Sequence, residues 1–328
     1  MWEEISGHQQ NKEFLHKLLA GDKKTSPLLF HGPEGVGKKL LAKAFAKELL
    51  CLSQASPCRG CPSCRALAAN AHPDFLLVEQ EAPGKDIVIE QMKEVARQAA
   101  FAPHLSAYRV CVIDAADYMN PTAANSLLKL LEEPPANWLF ILVAASEARL
   151  LATIRSRVIS LRFDVLPNRA VADKLRLGGA TAAEAEALAS LADGSLANAL
   201  ALQAAQTIDV RDRMLEFMEN LPAARSLQLV AAYPWPEKTA AGDGQIMLKM
   251  LLYLLRDGLF CSEKLSRHVY NTDVVQRVEK CFVRWSTKKI KIMIRLVQDS
   301  LKGLAANAPG KVVWEALVVN MNKTLKEE

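Results

Sequence analysis

His31-Gly32-Pro33-Glu34-Gly35-Val36-Gly37-Lys38-Lys39 follows the apolar run Leu28-Leu29-Phe30 and opens a helical pattern that continues to about Leu50. A short strand, a glycine-rich turn and a helix amino end are the parts of a phosphate loop. Glycines let the backbone wrap a polyphosphate so that its N–H groups point inward, and the helix end adds a field that favours anions. Gly32, Pro33, Gly35, Gly37 and Lys38 are the candidate cradle, with Lys38 reaching towards the outer phosphates. Lys39 departs from the motif, which ends Lys-Ser or Lys-Thr because the hydroxyl coordinates Mg²⁺. An ammonium cannot ligate a cation. It can pair with phosphate or replace the metal, or the loop can be a relic kept for structure, so occupancy by ATP or another nucleotide is open at this point.

Working outward, Phe75-Leu76-Leu77-Val78, Val110-Cys111-Val112-Ile113 and Leu139-Phe140-Ile141-Leu142-Val143 are apolar runs of strand length. Runs without a polar face predict strands covered on both sides by helices, as in a parallel sheet, so the fold class is α/β. Ile87 to Ala99 has helical spacing. Asn120 is a helix cap, Pro121 suits a first turn, and Pro134-Pro135 end the segment. Ala124, Leu127, Leu128 and Leu131 form its buried stripe.

An apolar strand ending in Asp114 has the form of a second acidic motif, whose carboxylate holds Mg²⁺ through water in ATPases of this broad class. Those ATPases place a Glu next, to polarise the attacking water. Here the next residue is Ala115, whose methyl group cannot take a proton. Asp117 reads as a turn or capping residue.

Cys51, Cys58, Cys61 and Cys64 give two overlapping Cys-x-x-Cys units with a nearby fourth thiol. Structural Zn²⁺ sites favour four thiolates and no open position, which makes zinc the expected ion. An iron–sulfur cluster or a redox pair is the alternative chemistry. Cys51 belongs at the end of the preceding helix. Cys111, Cys261 and Cys281 read as packing residues, and His72 as a turn or surface histidine.

Beyond Pro167 the strand signal fades. Residues 170–205 are rich in Ala and Leu and broken at Gly194-Ser195. Tyr233 to Gly244 reads as a connector, with helical patterns at Gln245–Leu259 and Val274–Ala305. The expected domains are 1–165, with the cysteine module at 51–64, then a small helical domain at 166–207 and a helical domain at 208–328. Apolar residues make up 50% of the chain and charged residues 23%, which excludes a disordered or fibrous chain. No apolar stretch approaches the ~20 residues needed to span a bilayer, so a cytoplasmic protein without a membrane partner is expected. The net charge of +5 permits a nucleic-acid neighbour without demanding one. Arg277, Lys280, Arg284, Lys288, Lys289, Lys291, Arg295 and Lys302 are opposed in their segment only by Glu279 and Asp299. They form either a solvated helix face or a surface for nucleic acid or an acidic partner.

The order and spacing of Gly32-Pro33-Glu34-Gly35-Val36-Gly37-Lys38-Lys39, Ile113-Asp114-Ala115-Ala116-Asp117, Asn125-Ser126-Leu127-Leu128-Lys129-Leu130-Leu131-Glu132-Glu133-Pro134-Pro135 and Leu150-Leu151-Ala152-Thr153-Ile154-Arg155-Ser156-Arg157 resemble the delta-prime subunits of the bacterial DNA polymerase III clamp loader, in the AAA+ superfamily. The resemblance is strongest over residues 1–165. It implies a nucleotide-type domain, a helical lid and a helical collar within a hetero-oligomer that places the sliding clamp on primed DNA. It also implies tau/gamma ATPase and delta subunits as partners, with the clamp and primer-template DNA met inside the complex. The cysteine cluster resembles the family's zinc module, with a shorter first gap.

Within the resemblance, Lys39, Ala115 and Ala197 replace the hydroxyl residue, the Glu and the lid arginine of the tau/gamma ATPases. That implies a subunit without hydrolysis of its own, even where polymerase activity is assigned to the whole holoenzyme. Ser156-Arg157 matches the family's Ser-Arg-Cys motif, with Val158 for Cys, and Arg157 is the implied finger into a neighbour's nucleotide site. An active tau/gamma-like ATPase and a stand-alone DNA-binding adaptor are the alternatives.

Overall fold

Alternate residues of the central strands face two different cores, and this divides the amino-terminal unit into layers. The computed structural model describes residues 2, 5–21, 24–53, 56–82, 84–204, 206–236 and 243–326. Five strands, β1 (Leu28–His31), β2 (Phe75–Val78), β3 (Arg109–Ile113), β4 (Trp138–Ala144) and β5 (Ile159–Arg162), form one parallel sheet in the order β2-β3-β4-β1-β5. Leu28, Phe30, Val110, Val112, Leu139, Ile141 and Val143 pack on one face with Leu41 and Phe45 of the phosphate-loop helix, Lys38–Leu49. Leu29, Cys111, Ile113, Phe140 and Leu142 point the other way. They meet Met92 and Val95 of helix Ile89–Ala99 and Leu127 and Leu131 of helix Pro121–Glu132. Period-two alternation with both faces covered is why these runs carry no polar residues.

The helix ends follow the expected chemistry. The Asn120 side chain accepts from the Ala123 N–H at 2.8 Å, Pro121 begins the helix, and Glu132 is its last residue before the two prolines. β5 carries no clear strand signal. It is a four-residue edge strand with Ile159, Ser160 and Arg162 exposed, and its pairing with β1 makes it a strand.

Asn168–Glu328 forms a second compact unit, separate from Met1–Pro167, and the regular elements among its described residues are all helices. Residues 170–205 hold three helices, Asn168–Leu177, Ala182–Leu191 and Leu196–Ala204, so a second break at 178–181 joins the one at Gly194. The expected run from Val274 to Ala305 is divided into Val275–Phe282 and Thr287–Ala305, because Ser286 caps the second helix by accepting from the Lys289 N–H at 3.3 Å. The unit's core gathers Met214, Phe217, Leu254, Met293 and Trp314, whose indole N–H donates to the Tyr233 carbonyl at 2.8 Å. The connector expected over Tyr233–Gly244 lies partly outside the described residues. No helix among the described residues is long and apolar enough to cross a membrane.

Candidate functional site

The phosphate loop leaves β1 and turns sharply because its glycines permit what other residues do not. Gly32 has φ +141°, and a Cβ there would lie 2.0 Å from the Phe163 carbonyl oxygen. Gly35 and Gly37 also have positive φ. Lys38 is 7% exposed, and its ammonium donates to the loop's own Gly32 and Pro33 carbonyls at 2.5 and 2.6 Å. Burial pushes its pKa down, against the carboxylates of Glu34, Asp114 and Asp117.

Lys39 points to the acidic end of the neighbouring strands. Its Nζ lies 3.0 Å from Asp114 Oδ2 and also donates to Glu79 Oε1, just beyond β2. Partial burial works against its charge, but hydrogen bonds to Glu79 and Asp114 outweigh that and raise its pKa. A fixed cation therefore bridges the carboxylates at the carboxyl ends of β2 and β3. Ala115 follows in the left-handed region, φ 54°, and carries no group able to accept a proton. Asp117 is buried in the next turn, where its Oδ1 accepts from the Ala145 N–H at 3.2 Å and ties the ends of β3 and β4 together. Ala197 lies exposed in the first turn of helix Leu196–Ala204, in the other unit.

Arg157 sits between helix Ala152–Arg155 and β5, with its side chain 35% exposed. One terminal nitrogen donates to the Thr153 carbonyl at 2.9 Å and to Ser156 Oγ at 3.1 Å. The other lies 2.8 Å from Glu132 Oε1.

The four cysteines converge. Cys51 follows the phosphate-loop helix, and Cys61 caps helix Pro62–Ala68 by accepting from the Cys64 N–H at 3.4 Å. All four sulfurs lie within 4.8 Å of one another, with Cys51–Cys64 at 3.7 Å and Cys51–Cys61 at 4.0 Å. Tetrahedral ligands at a Zn–S distance of ~2.3 Å stand about 3.8 Å apart, so the cluster fits a metal ion held by Cys51, Cys58, Cys61 and Cys64. Backbone N–H groups outweigh burial and lower Cys61 to about 6, whereas burial and adjacent thiols push Cys64 up to about 12. The pKa values of Cys61 and Cys64 are thus driven apart by their close approach, and a divalent ion that binds thiolates relieves that opposition.

Beneath this module is a polar hub that sequence reading missed. Asp74 is fully buried and accepts from the N–H groups of His104, Leu105 and Ser106 at 2.6–2.9 Å. It also pairs with Arg109 at 3.1 Å, which donates to the Gln98 carbonyl and lies over Trp138. His72, expected at a turn or surface, is instead buried at 6% exposure. Its Nδ1 accepts from the Asp74 N–H at 3.0 Å, which leaves Nε2–H to donate to Ser63 Oγ at 2.9 Å. Ser63 and Ser106 both donate to the Leu50 carbonyl, next to Cys51. This chain of bonds ties the cysteine module to the sheet.

A family model described as DNA polymerase III, delta subunit, matches residues 7–167. The delta' subunit of Pseudomonas aeruginosa is 30% identical over 234 residues, covering 71% of this chain and 67% of the relative. The chain belongs to the bacterial DNA polymerase III clamp-loader family. The Bacillus subtilis delta' subunit is 27% identical over 331 residues, 98% of each chain. The gamma/tau subunit of Mycobacterium tuberculosis is 35% identical over 168 residues, 51% of this chain and 29% of its own. The matches thus include both delta' and gamma/tau members of this clamp-loader family, and the chain's own parallel sheet flanked by helices, followed by a helical unit, fits an AAA+ fold.

Proposed function

We propose that this chain is a non-catalytic, delta-prime-like subunit of the DNA polymerase III clamp loader. It helps load the sliding clamp onto primed DNA and supplies Arg157 in trans to a neighbouring tau/gamma ATPase. The observation that carries this reading is the Lys39 ammonium on Asp114 and Glu79. The carboxylate that would hold Mg²⁺ is already paired with a cation tethered to the same loop, and Ala115 offers no base beside it. Lys38 is turned onto its own loop. Such a loop keeps the shape of a nucleotide site without its reactive parts, while Arg157 keeps a guanidinium at the surface for charge developing on another subunit's γ-phosphate.

Residues 166–207 then act as the lid and 208–328 as the collar that joins the other subunits, among them delta. Zn²⁺ at Cys51, Cys58, Cys61 and Cys64 is structural. Lys280, Arg284, Lys288, Lys291 and Arg295 are exposed and make no ion pair among the described residues. Any DNA contact made there is to phosphate, which positions without reading sequence.

The purified chain is expected to show no Mg²⁺-dependent ATP turnover, and Arg157→Ala to assemble normally while slowing turnover by the reconstituted loader at least tenfold. Brisk turnover by the isolated chain, lost in Lys38→Ala, would instead make it an active tau/gamma-like ATPase. Metal analysis should give one zinc per chain, and Cys58→Ser should lose that zinc and loosen residues 51–64 to proteolysis.

A further inference from the structure

Arg157 is not a bare guanidinium waiting for phosphate. Its Nη2 is 2.8 Å from Glu132 Oε1, and Glu132 is the last residue of helix Pro121–Glu132. A carboxylate at a helix carboxyl end faces the negative pole of the helix and gains from an adjacent cation. Arg157 supplies that cation from the turn before β5, while the Thr153 carbonyl and Ser156 Oγ hold its other terminal nitrogen. The two groups thus have separate reasons to stay together in the free chain. Paired, they present almost no net charge, and an oxygen of a neighbour's γ-phosphate would meet a carboxylate beside the guanidinium.

We propose that Glu132 is a latch on Arg157: it restrains the guanidinium in the unengaged subunit and must be released before Arg157 can bind phosphate. This rests on the trans-acting reading of Arg157 above. Both side chains are partly exposed, 35% and 48%, so the restraint is of the modest size of a surface ion pair. Such a latch is displaced readily by a polyphosphate, which offers the guanidinium a more highly charged partner. Release opposes binding and the transition state equally, because Arg157 is engaged in both. The latch therefore raises the ATP concentration the assembled loader needs and leaves its maximal rate alone.

The test is steady-state ATP turnover by the complete loader carrying Glu132→Gln, Glu132→Ala, Arg157→Ala, or Arg157→Ala combined with each Glu132 variant. Glutamine keeps the length and an accepting oxygen but not the charge. Both Glu132 variants are expected to lower KM for ATP two- to fivefold, about 0.4–1 kcal/mol at 1.4 kcal/mol per tenfold, with kcat little changed. In the Arg157→Ala background neither should have any effect. If Arg157→Ala slows turnover but the Glu132 variants leave KM unchanged or raise it, the latch is wrong and the trans-acting arginine stands. If Arg157→Ala itself changes nothing, both ideas fall. Far-ultraviolet circular dichroism and recovery of the intact complex separate these outcomes from misfolding.

Discussion

Two arginine–carboxylate pairs in the amino-terminal unit have similar lengths and opposite characters. Arg109 and Asp74 are 3.1 Å apart, with side chains 7% and 0% exposed. Arg157 and Glu132 are 2.8 Å apart and 35% and 48% exposed. The shorter pair is the weaker one, because water and salt screen it and compete for both partners. Burial makes the first pair costly to break: both ions have left water, and only their mutual contact and the surrounding N–H and carbonyl groups compensate. The exposed pair can be exchanged for another partner, which the role proposed for Arg157 on a neighbouring subunit requires. Lys39 with Asp114 lies between these extremes, at 36% and 27% exposure.

The largest effect is therefore expected at the buried pair. Arg109→Ala leaves Asp74 charged and underbonded, and should cost about 3–5 kcal/mol in chemical denaturation. A loss below about 1 kcal/mol would show that burial does not distinguish the pairs. Acid should reveal the same hub more gently. Burial alone would raise the Asp74 carboxyl, but the N–H groups of His104, Ser106 and Leu105 and the Arg109 guanidinium hold it below its ordinary 3.8. A depressed carboxylate contributes fully above its unfolded pKa and loses that contribution as pH falls through the folded one. Stability attributable to Asp74 should thus be flat above about pH 5 and fall below about pH 4. In Asp74→Asn that part of the acid sensitivity should be gone.

At the intermediate pair, Lys39→Met keeps the bulk and removes the cation, which leaves Asp114 and Glu79 facing each other. The expected cost is about 1 kcal/mol, as for other half-exposed pairs. Millimolar Mg²⁺ should recover part of it in the variant and do little for the unaltered chain. Equal stabilisation of both by Mg²⁺ would mean that Lys39 does not stand in for a metal.

This ordering by burial also explains what the sequence disclosed. Strand identity was legible wherever both faces are covered, since Val110–Ile113 and Leu139–Val143 can carry only apolar residues there. β5 was not legible, because an exposed edge strand is defined by its partner rather than by its composition. The Asn120 cap was visible because its contacts are local, and the four cysteines because their spacing is itself the signal. Lys39 announced a departure from the phosphate-loop pattern, but its second partner, Glu79, is 40 residues away and nothing near it in sequence marks the contact. Asp74 and Arg109 are 35 residues apart, and much of the hub is backbone N–H, which has no letter in a sequence. His72 was misread because a histidine after a loop is ordinarily wet: the Asp74 N–H at its Nδ1 is a local contact, but only the fold buries the ring and sets its Nε2 against Ser63. Arg157 drew attention through family resemblance alone, and its tie to Glu132 came from the fold.

The smallest stability change is expected at Arg157→Lys, and its value lies in comparison with Arg109→Lys. At position 109 the planar guanidinium serves the Asp74 carboxylate, the Gln98 carbonyl and the Trp138 face together. An ammonium has a single centre and cannot reach all three, so Arg109→Lys should remain severely destabilising. At position 157 the same exchange weakens a screened pair and two surface hydrogen bonds, and should shift stability by no more than about 0.5 kcal/mol. Turnover by the assembled loader should respond in the reverse order. Lysine at 157 lacks the fork that matches phosphate oxygens, so its rate should lie close to that of Arg157→Ala despite an undisturbed fold. If Arg157→Lys retains full turnover, position 157 requires only a positive charge, and the contrast between an arginine that holds the fold and one that serves a neighbour reduces to burial alone.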